Sequence, residues 1–334
     1  MHRCLGSREL LRNRCDWAVT VGIVLCLSAC SKAPATAPII PVVHYDVVYP
    51  EHQADPDWSR QGLLAYLDNG IVCVSSGGSY SEDTTKTGIW IWYPHANTRR
   101  RLVPFGMSPA WSPDGSRVAF STGYAGKLFV VNSDGSDLHA ITGAEGFFGP
   151  RWSPDGTRLC WFRTTGDTPG VWVGNADGSS RRLVVPFAGG CDWNPLAADS
   201  LVYAISGPGE GDVSIYSQSL ANGGKRLLYS GASTSSCNPR CSPLDGSVAF
   251  ERRTPTQRLP SIWTVRAGQP LLTHVTPEGG ISPTWSADGR SLAFERYDWG
   301  TNADDWNVLW SVRVLDRNMM QLTEHWPQTC RGSP

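Results

Sequence analysis

A chain of 334 residues is long enough to bury about three-quarters of the surface that its unfolded form exposes, so one large core or two small ones fit. Its 29 basic and 30 acidic residues leave a net charge of −1, which argues against nucleic acid or an anionic membrane surface as an electrostatic partner. Charged residues make up only 18%, while Gly (35), Pro (24) and Trp (15) are numerous, a balance that points to an all-β chain with tight turns and an aromatic core.

In chain order, the first segment belongs to export. Arg3, Arg8, Arg12 and Arg14 form a basic leader, and Trp17 to Leu27 (WAVTVGIVLCL) is an apolar run too short to span a bilayer as a stable anchor. The run ends in Leu27-Ser28-Ala29-Cys30, which resembles the lipobox of bacterial lipoproteins. That resemblance implies a signal peptide over 1–29, lipid attachment at Cys30 and cleavage before it; the alternative is an ordinary cleavage site beside a chance cysteine. With Ser31 following the cysteine, the sorting pattern implies a lipid-anchored protein of the bacterial outer membrane facing the periplasm. Residues 30–50, rich in proline, read as the lipidated N-terminus and a semi-rigid tether.

From there the chain repeats itself. One phrase recurs six times, anchored at Trp58 (PDWSRQGLLAY), Trp111 (SPAWSPDGSRVAF), Trp152 (GPRWSPDGTRLCW), Trp193 (CDWNPLAADSLVY), Cys241 (NPRCSPLDGSVAF) and Trp285 (SPTWSADGRSLAF). The intervals are 53, 41, 41, 48 and 44 residues, the period of a four-stranded propeller blade. Each unit parses alike: a short strand ending at the anchor, a Ser-Pro-Asp-Gly turn, an apolar strand such as Arg117-Val118-Ala119-Phe120, a variable connection, a third strand such as Lys127-Leu128-Phe129-Val130-Val131, an Asn-Ser-Asp-Gly turn and a fourth strand. Proline presets the turn's backbone, Asp bonds back to nearby amides, and Gly accepts a positive φ. One such sheet cannot bury both faces, whereas six arranged radially can, with the anchor Trp packed between neighbours. The fold expected is an all-β, six-bladed β-propeller of four-stranded antiparallel blades over residues 51–326, followed by a tail at 327–334.

The Trp-Ser-Pro-Asp-Gly phrase, the [VL]-A-F strand, the aromatic third strand and the Asn/Asp-Gly turn together resemble the TolB-type propeller repeat, a relative of the WD repeats. The resemblance covers the propeller and not the separate α/β domain that TolB carries before it. It implies a non-enzymatic scaffold that binds a protein or peptide of the cell envelope. Departures fall at Asn194-Pro195-Leu196-Ala197-Ala198, which replaces Ser-Pro-Asp-Gly, and at Cys241, which replaces Trp.

Strand order divides the disc into two faces. The short, alike turns share one, which reads as scaffolding; the variable connections (67–87, 162–170, 205–212, 252–260 and 296–306) share the other, where binding is expected. The residue before each anchor, Asp57, Ala110, Arg151, Asp192, Arg240 or Thr284, alternates away from it and lines the central channel. Asp57, Arg151, Asp192 and Arg240 are therefore candidates for receiving a polar ligand; the alternative is that they pair with one another. On the variable face, Trp299, Asp304, Asp305 and Trp306 have the chemistry to stack a sugar ring or hold a cation, so a glycan is the second ligand class; the alternative is a solvated loop. No nucleophile elbow, zinc-protease helix or phosphate loop is present, so no catalytic residue is assigned. His44, His52, His95, His139, His274 and His325 lack metal-ligand spacing, and Asn132 to Gly143 lacks the twelfth-position Glu of a calcium loop, so neither metal nor other cofactor is assigned. Six cysteines follow Cys30 and allow fifteen pairings; Cys160 stands at a repeat position held by Ala119 and reads as a small core residue, and Cys191 with Cys237 is the pairing favoured from adjoining inner strands. Two modes of ring closure stay open, within each unit or through a strand borrowed from residues 44–49 (HYDVVY).

Overall fold

A computed structural model describes residues 47–49, 52–74, 80–123, 126–163, 166–197, 199–206, 213–231, 235–254, 257, 259–277, 279–296 and 308–323. Each of the six sequence units folds into one four-stranded antiparallel sheet, hydrogen-bonded in chain order from the first strand to the fourth. The strands of blade 1 are Gln53–Trp58, Leu64–Asp68, Gly88–Tyr93 and Thr98–Val103; those of blade 2 are Met107–Trp111, Arg117–Ser121, Lys127–Asn132 and His139–Glu145. Blade 3 comprises Phe147–Trp152, Arg158–Arg163, Gly170–Asn175 and Arg182–Pro186; blade 4 comprises Ala188–Trp193, Ser200–Ser206, Val213–Ser219 and Lys225–Gly231. Blade 5 comprises Ser235–Cys241, Val248–Arg253, Ser261–Arg266 and Gln269–His274; blade 6 comprises Ile281–Trp285, Ser291–Glu295, Leu309–Arg313 and Met319–Gln321. Each first strand packs against the first strand of the next blade, and that of blade 6 against that of blade 1, which closes the ring. The protein is a six-bladed β-propeller.

The turns hold as their composition requires. Asp114 accepts hydrogen bonds from the Ser112 hydroxyl (2.6 Å), the Ser116 amide (3.0 Å) and the Ser116 hydroxyl (2.8 Å), while Gly115 takes a φ of 71° that a Cβ would strain. Asp155 and Asp288 repeat the pattern in blades 3 and 6, and in blade 4 the Asn194 side chain takes the acceptor role, bonded by the Leu196 amide at 3.0 Å. The departure from Ser-Pro-Asp-Gly thus keeps the turn's chemistry.

The core lies between blades, not within them. Six buried apolar clusters occupy the six junctions; one joins Leu128, Val130 and Ile141 of blade 2 to Phe147, Trp152 and Trp161 of blade 3, and another joins Leu309 and Leu322 of blade 6 to Leu64 and Tyr66 of blade 1. The anchor ring adds a polar latch. The indole N–H groups of Trp152, Trp193 and Trp285 donate to the carbonyls of Ala110, Arg151 and Arg240 in the preceding blade, at 3.1, 3.0 and 3.0 Å. At two junctions the Arg that follows the turn also lies over the next anchor, Arg117 at 4.5 Å from the Trp152 ring centre and Arg158 at 4.8 Å from that of Trp193.

Closure takes place within units. Residues Val47–Tyr49 do not enter a blade; they pair with Ile71–Val74, which pairs in turn with Tyr80–Asp83. The connection between the second and third strands of blade 1, expected only to vary, thus carries a three-stranded sheet of its own with a single 3-10 turn at Thr84–Lys86. Without a shared strand, blades 6 and 1 meet through the Leu64 and Leu309 cluster and through side-chain bonds at the channel.

Candidate functional site: the central channel

Every first strand carries the same irregularity three residues before the anchor. Asp55, Ser108, Gly149, Gly190, Asn238 and Ser282 have φ values of 50, 51, 60, 62, 50 and 51°, and at each the register with the second strand shifts. This is a β-bulge repeated six times. Five of the six bulges place Pro next (Pro56, Pro109, Pro150, Pro239 and Pro283), where no ladder N–H is needed. The bulge re-aims the chain so that positions −3 and −1 from the anchor project toward the channel and the following blade.

Below the bulges, Asp57, Arg151, Asp192 and Arg240 line one cavity of about 430 Å³ together with Ala110 and Thr284. They do not pair with one another: among the described residues no ion pair joins these four. Each carboxylate instead latches the next blade. Asp57 accepts the Trp111 amide at 2.8 Å, Asp192 accepts the Cys241 amide at 2.8 Å, and the Thr284 hydroxyl accepts the Trp58 amide at 3.4 Å. These junctions, from blade 1 to 2, 4 to 5 and 6 to 1, are the three that lack the indole latch. Cys241 therefore needs no indole, since Asp192 holds its backbone. Burial pushes both carboxyls above the usual range for Asp; the Arg151 charge and the Trp111 amide oppose the shift at Asp57, the Arg240 charge and the Cys241 amide at Asp192.

The arginines are left with donors to spare. Arg151, 7% exposed, donates from Nη1 to the carbonyls of Pro109 (3.1 Å) and Pro150 (3.0 Å), and Arg240 donates from Nη1 to that of Pro239 (3.0 Å). The Nε of each is buried without an acceptor among the described residues. Burial and the neighbouring Arg151 charge lower the pKa of Arg240. Two cations thus face one space with carboxylates already engaged elsewhere, an arrangement suited to an anionic group of a ligand.

Above the bulges sits a cluster that sequence reading missed. Glu295, 3% exposed, accepts the Asp55 amide at 2.8 Å and contacts His52 Nε2 at 3.2 Å, which ties blade 6 to blade 1. Glu251, 2% exposed, accepts the Asn238 side-chain amide (2.6 Å) and the Ser282 amide (2.8 Å), and Asp55 accepts the Ser108 amide (3.0 Å) and hydroxyl (2.9 Å). Burial raises the Glu251 pKa to about 7, and burial together with the Glu295 charge raises that of Asp55. The available signal was the recurring Asp/Ser/Gly/Asn before Pro-x-Trp, residue types that tolerate a positive φ, and the acid after Ala-Phe in units 5 and 6.

The cavity opens between the Ser-Pro-Asp-Gly turns, with Ser59, Ser112, Pro154, Pro195, Pro243 and Ser286 at its rim. That is the face set aside in the sequence as scaffolding. Of the other candidates, Cys30, Trp299, Asp304, Asp305 and Trp306 lie outside the described residues, as do the signal peptide, most of the tether and the tail. Cys191 shares a buried cluster with Cys160; the side chain of Cys237, its expected partner, lies outside the described residues.

No protein-family model matches the chain, and no curated protein matches it in sequence. Solved structures do. A protein assigned as TolB from Agrobacterium tumefaciens superimposes with a TM-score of 0.58 at 20% identity, covering 70% of this chain and 87% of that one. TolB from Acinetobacter baumannii gives 0.52 at 16% identity, covering 84% and 69%. The fold is that of the TolB propeller. The β-propeller domain of the Trilobed protease from Pyrococcus furiosus has a TM-score of 0.51 at 14% identity and covers 82% and 84%; it is described as having an open velcro topology. Among the described residues of the present chain, no strand is exchanged between the first and last blades.

Proposed function

We propose that this chain is a lipid-anchored propeller of the bacterial cell envelope that binds a protein or peptide at the turn-side mouth of its channel, in the manner of a TolB-like scaffold. The observation that carries the reading is the pair Arg151 and Arg240, which line one cavity of about 430 Å³. A partner segment bearing a carboxylate would pair with these two guanidinium groups, and the ring would supply rigidity and apolar walls. The leader, the Leu-Ser-Ala-Cys sequence and the proline-rich tether support anchoring at Cys30 on the periplasmic side of the outer membrane, with residues 51–326 held away from the lipid.

A photo-cross-linking side chain tests the location. Ala287 stands exposed at the turn-side rim and Phe187, 72% exposed, on the opposite face. In envelope preparations, substitution at Ala287 is expected to yield one discrete adduct with an envelope protein and substitution at Phe187 none. The reverse pattern, or specific labelling by uronate or peptidoglycan oligosaccharides in place of protein, contradicts the proposal. Cys30→Ser is expected to release the chain from membranes; unchanged processing and retention contradict the anchor.

A further inference from the structure

The two cysteines at the junction of blades 3 and 4 are two departures from the repeat that meet. Opposite each residue that precedes an anchor, the second strand carries Ala65, Ala119, Cys160, Val202, Ala249 or Ala293 in blades 1 to 6. Two residues before each anchor stand Pro56, Pro109, Pro150, Cys191, Pro239 and Pro283. Thus Ala gives way to Cys in blade 3 and Pro to Cys in blade 4, at positions that face each other across one junction. Both side chains belong to the same buried cluster, at 0% and 1% exposure, and both are free thiols there. Gly190 suits the approach: at φ 62° a side chain is strained, and a Cβ there would come within 3.2 Å of Pro239 of blade 5.

We infer that Cys160 and Cys191 form a disulfide that clamps blade 3 to blade 4 when the chain folds under oxidising conditions. The oxidant is a small-molecule or protein disulfide. One cysteine, as thiolate, attacks a sulfur of that disulfide and releases one thiol; the other then displaces the second thiol as the bond between the two Sγ atoms forms. The two protons and two electrons lost by Cys160 and Cys191 end on the two thiols of the reduced oxidant. Timing follows from burial. In the finished propeller both sulfurs are shielded, and burial holds the Cys160 thiol well above its usual pKa, which starves the reaction of thiolate. Exchange therefore belongs to folding, before blade 4 seats on blade 3. The clamp does not depend on any ligand of the channel, so its fate and that of the channel reading are separable.

The test is oxidative refolding. The full chain, unfolded and reduced, is refolded in glutathione and glutathione disulfide, alkylated and mapped by mass spectrometry. The peptides containing Cys160 and Cys191 are expected as one cross-linked species lacking two hydrogens. Native reduced protein placed in the same buffer without unfolding is expected to form the link at least about ten times more slowly. Cys160→Ala installs the residue that most other units carry and is expected to fold, to leave Cys191 as a thiol, and to unfold at the same urea concentration with or without oxidant; the oxidised parent unfolds at a higher concentration than the reduced parent. Recovery of both cysteines alkylated after oxidative refolding, Cys191 linked to another cysteine such as Cys237, or identical unfolding midpoints for the oxidised and reduced parent overturns the inference.

Discussion

Asp114 and Asp192 are the same side chain in two copies of one repeat, in blades 2 and 4, each less than one strand length from an anchor, and the ring uses them in opposite ways. Asp114 sits in an exposed turn, where hydrogen bonds from Ser112 and Ser116 lower its pKa to about 2. Asp192 sits in the channel, where burial raises its pKa despite the opposing Arg240 charge and Cys241 amide. The first is ionised at no cost and closes a local turn; the second holds a charge in an enclosed space and ties two blades together. The turn Asp, present in four of the six units as Asp114, Asp155, Asp245 and Asp288, is thus scaffold, and the buried acids outside the turns mark the site. The anchors show a parallel division: three junctions are latched by an indole N–H and three by an acceptor at position −1.

The comparison breaks most visibly at Asp192. Asp192→Ala is expected to cost about 2–4 kcal/mol in urea unfolding, because the Cys241 amide loses its acceptor and two arginines lose a compensating charge. Asp192→Asn, which keeps an acceptor, is expected to recover most of that; equal losses from both variants contradict the latch.

Next in size is pH dependence. Glu251 has a folded pKa of about 7 against an ordinary 4.5, so between these values the folded state binds a proton that the unfolded chain does not. Its effect on stability is therefore most favourable below pH 4.5 and declines as pH rises to 7, by at most about 1.4 kcal/mol per pH unit. Glu251→Gln is expected to flatten the urea midpoint over that range. A midpoint that rises from pH 5 to 7 in the parent and falls in the variant contradicts the assignment. For Asp114 the sign is opposite: its lowered pKa adds stability above about pH 4 that is lost as pH falls toward 2, reduced by solvent screening.

The smallest effect is that of Asp114→Ala, expected at about 1 kcal/mol from the loss of exposed turn hydrogen bonds. A cost equal to that of Asp192→Ala would erase the distinction between turn and channel.

Much of the scaffold was legible from the chain. The spacing of Trp58, Trp111, Trp152, Trp193, Cys241 and Trp285 set out six blades, because turn chemistry and anchor packing are local and recur. Alternation alone placed Asp57, Arg151, Asp192 and Arg240 together. What stayed hidden depends on contacts between units. The bulge at Asp55 and its equivalents breaks strict alternation, so the upper acids Glu251 and Glu295 could not be aimed by counting. That Asp57 and Asp192 bind amides of the next blade and leave Arg151 and Arg240 unpaired is a matter of distance, which sequence does not carry. The pairing of Val47–Tyr49 with Ile71–Val74, and not with a blade, likewise arises from an insertion that no repeat predicts.

Calorimetric titration of the cross-linked envelope partner, or of its acidic segment as a peptide, into the parent and into Arg151→Ala/Arg240→Ala is the most direct measure of the channel's role. Loss of at least about 2 kcal/mol of binding free energy in the double variant, with the affinity of Asp114→Ala little changed, is the expected result. Undiminished affinity in the double variant would contradict it.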